Sequence, residues 1–119
     1  MNVTVIGASD KPDRYSYQAV MLLKEKGHSV FPVHQRIKEI EGIKVYPSLK
    51  DVPVATDTVS LYVAADTSSK LSDEILASNP RRVIFNPGAE NPLLEAKAKS
   101  KGIACLNACT LVMLRTGQF

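Results

Sequence analysis

Apolar and polar positions along the chain alternate between short β-branched runs and longer stretches of helical period. Val3-Thr-Val-Ile6 reads as a strand that stops at Gly7, and residues 7–14 hold the turn formers Gly7, Ser9, Asp10, Pro12 and Asp13. Tyr15, Ala19, Leu22 and Leu23 then recur at helical spacing. Lys24, Glu25 and Lys26 followed by Gly27 read as the C-terminus of that helix, with cations near the negative end of its dipole. Ser29-Val-Phe-Pro-Val33 is a second strand. It leads through a polar stretch around Gln35, Arg36 and Lys38 to a short extended piece, Ile43-Lys-Val-Tyr46. Thr58-Val-Ser-Leu-Tyr-Val63 is the third main strand. A helix is expected from about Ser68, with Leu71, Ile75 and Leu76 on its apolar face, ending before Pro80. Arg82-Val-Ile-Phe85 is the fourth strand. Asn91 and Pro92 open a further helix as cap and first helical residue, Leu94 and Ala98 supply its buried stripe, and Gly102 closes it. Ile103-Ala-Cys-Leu106 is the fifth strand.

Strands alternating with helices of this length imply right-handed crossovers and a parallel sheet with helices on both faces. The 119 residues are one domain, 1–119, without internal repeat, linker or low-complexity tract. At this length about two-thirds of the unfolded chain's surface is buried on folding, so neither a disulfide nor a metal is required. Hydrophobic residues at 45% and charged residues at 23% exclude a disordered or fibrous chain. The net charge of +3 suits an anionic small molecule, and the dispersed cations without interleaved aromatics do not point to nucleic acid. No apolar stretch approaches the roughly 20 residues that span a bilayer, and the opening residues lack a basic leader, so no membrane association is expected and a cytoplasmic location is. In a reducing compartment Cys105 and Cys109 are expected to be free, half-buried thiols.

In an open parallel sheet, ligands bind at the carboxyl ends of the strands where strand order reverses. Those ends are Gly7-Ala-Ser-Asp10, Val33-His-Gln-Arg36, Val63-Ala-Ala-Asp66 and Asn86-Pro-Gly-Ala-Glu90. Gly7 permits a tight turn, so that backbone N–H groups face an anion near the start of the first helix, and Ser9 and Ser16 add hydroxyl donors. The full G-x-G-x-x-G pattern is absent. A dinucleotide site places an acid near the end of strand two for the ribose hydroxyls. Here that end carries His34 and Arg36 and no acid before Glu39, which suits a phosphorylated ribose. Coenzyme A carries such a group at the 3′ position and NADP at the 2′ position. No histidine has a cysteine or carboxylate at metal-ligand spacing, and there is no Gly-x-Ser-x-Gly elbow or Walker loop, so neither a metal nor a catalytic residue is predicted.

Five segments together resemble the CoA-binding domain family, small stand-alone proteins similar to the CoA-binding domain of the succinyl-CoA synthetase α subunit. They are Val5-Ile-Gly-Ala-Ser9, Ser16-Tyr-Gln-Ala19, Phe31-Pro-Val33 followed by Arg36, Gly42-Ile-Lys-Val-Tyr-Pro-Ser-Leu49, and Leu106-Asn-Ala-Cys109. The resemblance implies an α/β fold, a three-layer Rossmann-like doubly wound parallel sheet of five strands in order 3-2-1-4-5. It places the phosphates of coenzyme A on the first loop and the adenosine near the ends of strands two and three. It implicates Gly7, Ala8, Ser9, Ser16, Arg36, Val63 and Ala64 in cofactor binding, with Asn86, Pro87 and Gly88 bordering the pantetheine arm, and the strand-end segments read above add Asp10, Val33 and His34. Two segments depart from the family. Many small members read Pro-Val-Asn-Pro before the basic residue where this chain has Pro32-Val-His-Gln-Arg36. Their Trp-x-Gln-x-Gly after strand four is Phe85-Asn-Pro-Gly88 here. The phosphorylated histidine of the synthetase belongs to a second domain that these residues do not encode.

The expected function is therefore binding of coenzyme A or an acyl-CoA, non-catalytic on its own, with a small-molecule nucleotide ligand and a homo-oligomer or partner protein left open. Two alternatives stand beside it: an NAD(P)-binding Rossmann domain, and a subunit of an acyl-CoA ligase completed by a partner chain.

Overall fold

The computed structural model describes residues 1–119. Five parallel strands form its sheet: β1 (Asn2–Ile6), β2 (Ser29–Val33), β5 (Thr58–Leu61), β6 (Arg82–Phe85) and β7 (Ala104–Asn107). Between them run α1 (Tyr15–Glu25), α2 (Ala65–Lys70), α3 (Ser72–Ala77) and α4 (Pro92–Ser100), with α5 (Thr110–Arg115) after β7. A small antiparallel hairpin, β3 (Glu39–Ile40) and β4 (Ile43–Lys44), and a 3-10 turn at Leu49–Asp51 lie between β2 and β5. The doubly wound α/β architecture is the expected one.

The order across the sheet is β2-β1-β5-β6-β7, which corrects one detail. Counted by the main strands it runs 2-1-3-4-5 rather than 3-2-1-4-5, because the strand at Thr58 pairs with β1, from Val3 opposite Thr58 to Ile6 opposite Leu61. All four β5 residues are buried, and a strand covered on both faces belongs in the middle of a parallel sheet. The place outside β2 is taken by the short extended piece: Tyr46 forms a parallel bridge to Val33, its N–H donates to Pro32 O at 2.9 Å, and His34 N–H donates to Tyr46 O at 3.0 Å.

Side chains alternate between the two faces, as strand geometry requires. Val3 and Val5 join Val20 and Leu23 of α1, Leu114 of α5, and Ile40 and Val45 around the hairpin. Ile6, Val59, Leu61, Val83 and Phe85 face the other way, onto Ile75, Leu94 and Ala98. A fully buried Leu or Phe contributes on the order of 1.5–3 kcal/mol by removal from water, so these two layers supply most of the driving force.

The helix expected from Ser68 begins at Ala65 and is broken at Leu71, where φ is −99° and ψ 2°. The segment Asp66-Thr-Ser-Ser69 is rich in residues whose side chains compete for backbone hydrogen bonds. Two of them are bonded from outside: Asn91 Nδ2 donates to Ser68 Oγ at 2.7 Å and to Ser69 Oγ at 3.0 Å, and also to Ala65 O at 3.3 Å. The same Asn91 caps α4, accepting from Leu94 N–H at 3.1 Å, as expected of Asn before Pro92. α5 carries no sequence expectation. Its signal was Leu111 and Leu114 three apart with Gly117 following at φ +71°, too short a pattern to separate from a loop.

The chain ends meet at the amino end of the sheet. The Met1 ammonium lies 3.3 Å from His28 Nδ1, the His28 ring meets Phe119 edge-on at 5.1 Å, and Arg82 stacks over Phe119 at 4.3 Å. Burial, then the N-terminal charge and Arg82, hold the His28 imidazole below its ordinary value. The unfolded chain therefore takes up the His28 proton first as pH falls. Stability is full above about pH 6.5 and declines as pH drops below it. Urea unfolding at pH 8 and pH 5.5 should show that decline, and His28→Gln should flatten it; an undiminished decline in the variant would assign it to other groups.

Candidate functional site

The chain leaves β1 for β2 on one side and returns to β5 on the other, so strand order reverses between the carboxyl ends of β1 and β5. Gly7 sits at that point with φ +87°. A Cβ there would lie 2.8 Å from Val63 Cγ1 and 3.2 Å from the Tyr62 carbonyl carbon and oxygen. Glycine is needed both for the conformation and for the close approach.

Two of the loop's amides do not face a ligand. Gly7 N–H and Ala8 N–H both donate to Val33 O at 3.2 Å, tying the loop to the end of β2. The amides left without a partner in the chain are those of Ser9, Asp10 and Asp13, and those of Tyr15, Ser16 and Tyr17 in the first turn of α1. Ser9 Oγ accepts from Lys11 N–H at 3.1 Å, which orders the loop and leaves the hydroxyl hydrogen free to donate. Arg14 precedes α1 without giving it a side-chain cap, and the first turn carries no acid. Its positive dipole end opens onto a cleft of about 780 Å³ together with Ser9, Ser16, Lys11 and Arg14. Asp10 and Asp13 sit on the same rim.

A second cavity of about 410 Å³ adjoins this cleft and shares Gly7, His34 and Val63 with it. Ile6, Val33, Leu49, Val63 and Leu71 supply apolar walls, and Arg36, Glu74, Ser48 and Thr67 bring polar groups. His34 Nδ1 accepts from Arg36 N–H at 3.0 Å and Ile37 N–H at 3.2 Å. That assigns the ring proton to Nε2 and holds the turn that carries Arg36. The Arg36 side chain is exposed and outside both ion pairs of the chain, Arg81–Asp57 and Lys99–Glu95.

Of the thirteen residues singled out in the sequence, Gly7, Ala8, Ser9, Asp10, Ser16, Val33, His34, Arg36 and Val63 line one hollow or the other. Ala64, Asn86, Pro87 and Gly88 line neither. Ala64 is the residue before α2. Asn86 is buried and fully engaged: Nδ2 donates to Leu61 O at 2.8 Å and Ser60 Oγ at 2.9 Å, and Oδ1 accepts from Thr110 N–H at 2.8 Å. It fastens β6 to β5 and to the start of α5. Gly88 N–H is turned to its own loop, donating to Glu90 Oε1 at 3.0 Å.

A profile of the CoA binding domain matches residues 1–115. The chain belongs to the CoA-binding domain family. Over 100 residues it is 27% identical to the uncharacterized protein YneT of Bacillus subtilis (strain 168), covering 84% of this chain and 74% of that one. A 62-residue stretch is 39% identical to the α subunit of the ADP-forming acetate–CoA ligase II of Pyrococcus furiosus, covering 51% of this chain but only 14% of the ligase subunit. The crystal structure of an uncharacterized protein superposes with a TM-score of 0.93 at 37% identity, covering 99% of this chain and 97% of that one. In this member of the CoA-binding domain family His34 closes the turn after β2. An Asn side chain accepts from backbone N–H groups just ahead of it in sequence, and His34 Nδ1 does the same.

Sequence reading missed two sets of site residues in this family member. Lys11, Arg14 and Tyr15 were legible as part of the first loop and helix start. Pro47 to Leu49, Thr67, Leu71 and Glu74 were not, because each reaches the cavity from an element distant in sequence. Tyr62 is a further addition. It lines the cleft, yet its hydroxyl is buried without a partner, since Ser60 and Thr110 bond each other at 2.8 Å. Burial, with Cys109 nearby acting the same way, pushes its phenol above the ordinary value.

Replacing Gly7 with Ala should cost about 1–3 kcal/mol from the left-handed backbone alone, plus the contact with Val63. Gly102→Ala provides the control, because φ is +79° there but nothing lies within 4 Å of an added Cβ. Urea denaturation should find Gly7→Ala the more destabilised of the two. Equal losses would show that the approach to Val63 and Tyr62 carries no cost.

Proposed function

We propose that the chain binds coenzyme A or an acyl-CoA across the two hollows, as a cytoplasmic module that performs no chemistry on its own. The observation that carries this reading is the continuity of the uncapped start of α1 with an apolar cavity that ends at an unpaired Arg36. A pyrophosphate at the first loop meets the free amides of Ser9, Asp10, Tyr15 and Ser16 and the positive end of α1. The adenosine then lies between Val33 and Val63, and Arg36 takes the ribose 3′-phosphate through charge-assisted hydrogen bonds. A dinucleotide site draws its ribose-binding acid from the end of strand two, and here that place holds His34 to Arg36. Family membership supports the same ligand. Both cysteines are unpaired, which suits a reducing compartment.

The likeness to a ligase α subunit supports a second reading, in which a partner chain completes an acyl-CoA ligase. The catalytic groups would then have to come from that partner. Of the two histidines here, His28 packs against Phe119 and His34 closes a turn.

The reading is tested by thermal shift with coenzyme A, acetyl-CoA, NAD and NADP. A ligand at a hundredfold excess over its dissociation constant stabilises by about 2.7 kcal/mol, and coenzyme A should do so well beyond NAD. A larger shift with NAD or NADP would replace this reading with the dinucleotide one.

Calorimetry with Arg36→Glu locates the ribose phosphate. Affinity for coenzyme A should fall about tenfold to a hundredfold, and affinity for dephospho-CoA should change little. Equal losses for the two ligands would place Arg36 on the pyrophosphate instead.

A further inference from the structure

Glu74 stands on α3, half-buried, on the wall of the same cavity that Arg36 lines, and it belongs to neither ion pair of the chain. Its carboxylate receives no hydrogen bond from a side chain or from a backbone N–H. Arg36 and Glu74 therefore present opposite charges to one apolar hollow of about 410 Å³ without neutralising each other. A ligand that meets both groups needs an anionic group for Arg36 and a hydrogen-bond donor for Glu74, with an apolar body against the walls.

We propose that Glu74 accepts a hydrogen bond from the exocyclic amine of adenine and so makes this cavity selective for adenine over purines that lack the amine. The proposal rests on the coenzyme reading of the same site. A carboxylate only accepts, so it favours the amine of adenine and repels the carbonyl oxygen that hypoxanthine and guanine carry at that position. The ribose 2′-hydroxyl is also a donor, but it adjoins the 3′-phosphate and stays with Arg36. The amine lies at the end of the base remote from the ribose, toward the wall formed by Leu71 and Glu74. Val33, Leu49 and Val63 provide apolar surface for the ring between. Discrimination of this kind is strong because the wrong base leaves a partly buried charged acceptor unpaired.

The test is calorimetry of coenzyme A and 1,N6-etheno-CoA, whose bridged base has no amine, with the wild type, Glu74→Ala and Asp73→Ala. Asp73 shares the first turn of α3 but is exposed and does not line this cavity. Melting curves confirm that each variant is folded. The wild type should prefer coenzyme A at least about tenfold, the factor expected of a hydrogen bond to a charged group. Glu74→Ala should abolish the preference by losing affinity for coenzyme A alone, and Asp73→Ala should keep it. A preference that survives in Glu74→Ala would assign the discrimination to cavity shape and overturn the proposal. Equal losses for both ligands would put the carboxylate on the ribose and overturn it too. If neither ligand binds the wild type, the coenzyme reading falls and this one with it; if coenzyme A binds with no preference over its etheno form, only this one falls.

Discussion

The tight passage between Gly7 and the exit of β5 holds the carboxyl end of the sheet, where the candidate site lies, in place. With φ at +87° and Val63 Cγ1 only 2.8 Å from where a Cβ would stand, the backbone of the first loop lies directly on the neighbouring strand end. The Val33 carbonyl takes the amides of both Gly7 and Ala8, so the loop is pinned to β2 as well as to β5. Three strand ends are thus drawn to one point, and the two hollows open on either side of it. Any larger residue would push the strands apart and widen the floor that both hollows share.

The two best-defined helix starts are built differently. At α4, Asn91 satisfies the backbone of the first turn, Pro92 removes one donor, and the same side chain reaches back to Ser68 and Ser69. That start is closed and joins α4 to α2. At α1, Arg14 contributes no cap and the first turn carries no acid, although Asp10 and Asp13 precede it. Orphan amides at a helix start cost stability unless water or a ligand meets them. Their exposure on the cleft is a departure from local consistency of the kind expected at functional sites.

Interior polar groups keep the frame around the site rigid. Asn86, Ser60 and Thr110 form a buried network that leaves no atom among them unpaired, and it holds β5, β6 and the start of α5 together beside the cleft. A satisfied network of this sort specifies one arrangement of the core, where a half-satisfied one would loosen it. Asn86 stands at a strand end, where ligand contact is expected in such sheets, and is instead spent on this fastening. A side chain buried between strands cannot serve both purposes at once.

The five main strands, α1 and α4 were readable from period and punctuation alone, because β-branched runs, Gly7, Gly27 and the Asn91-Pro92 pair act through local backbone preferences. So was the first-loop part of the candidate site, whose residues lie within one contiguous stretch from Gly7 to Ser16. What local preference could not decide was which strand lies beside which. Thr58–Leu61 moved to the centre because its residues are covered on both faces, and the single bridging residue Tyr46 took the outer place beside β2. The break at Leu71 was equally invisible, and the α2 residues before it are bonded by a side chain distant in the sequence, Asn91. The cavity beside Arg36 has walls from β1, β2, the turn at Pro47 to Leu49, and α2 and α3. Residues so far apart in the chain share a surface only once burial of the two apolar layers has set the sheet order, and for that reason Glu74 came into view only in the folded molecule.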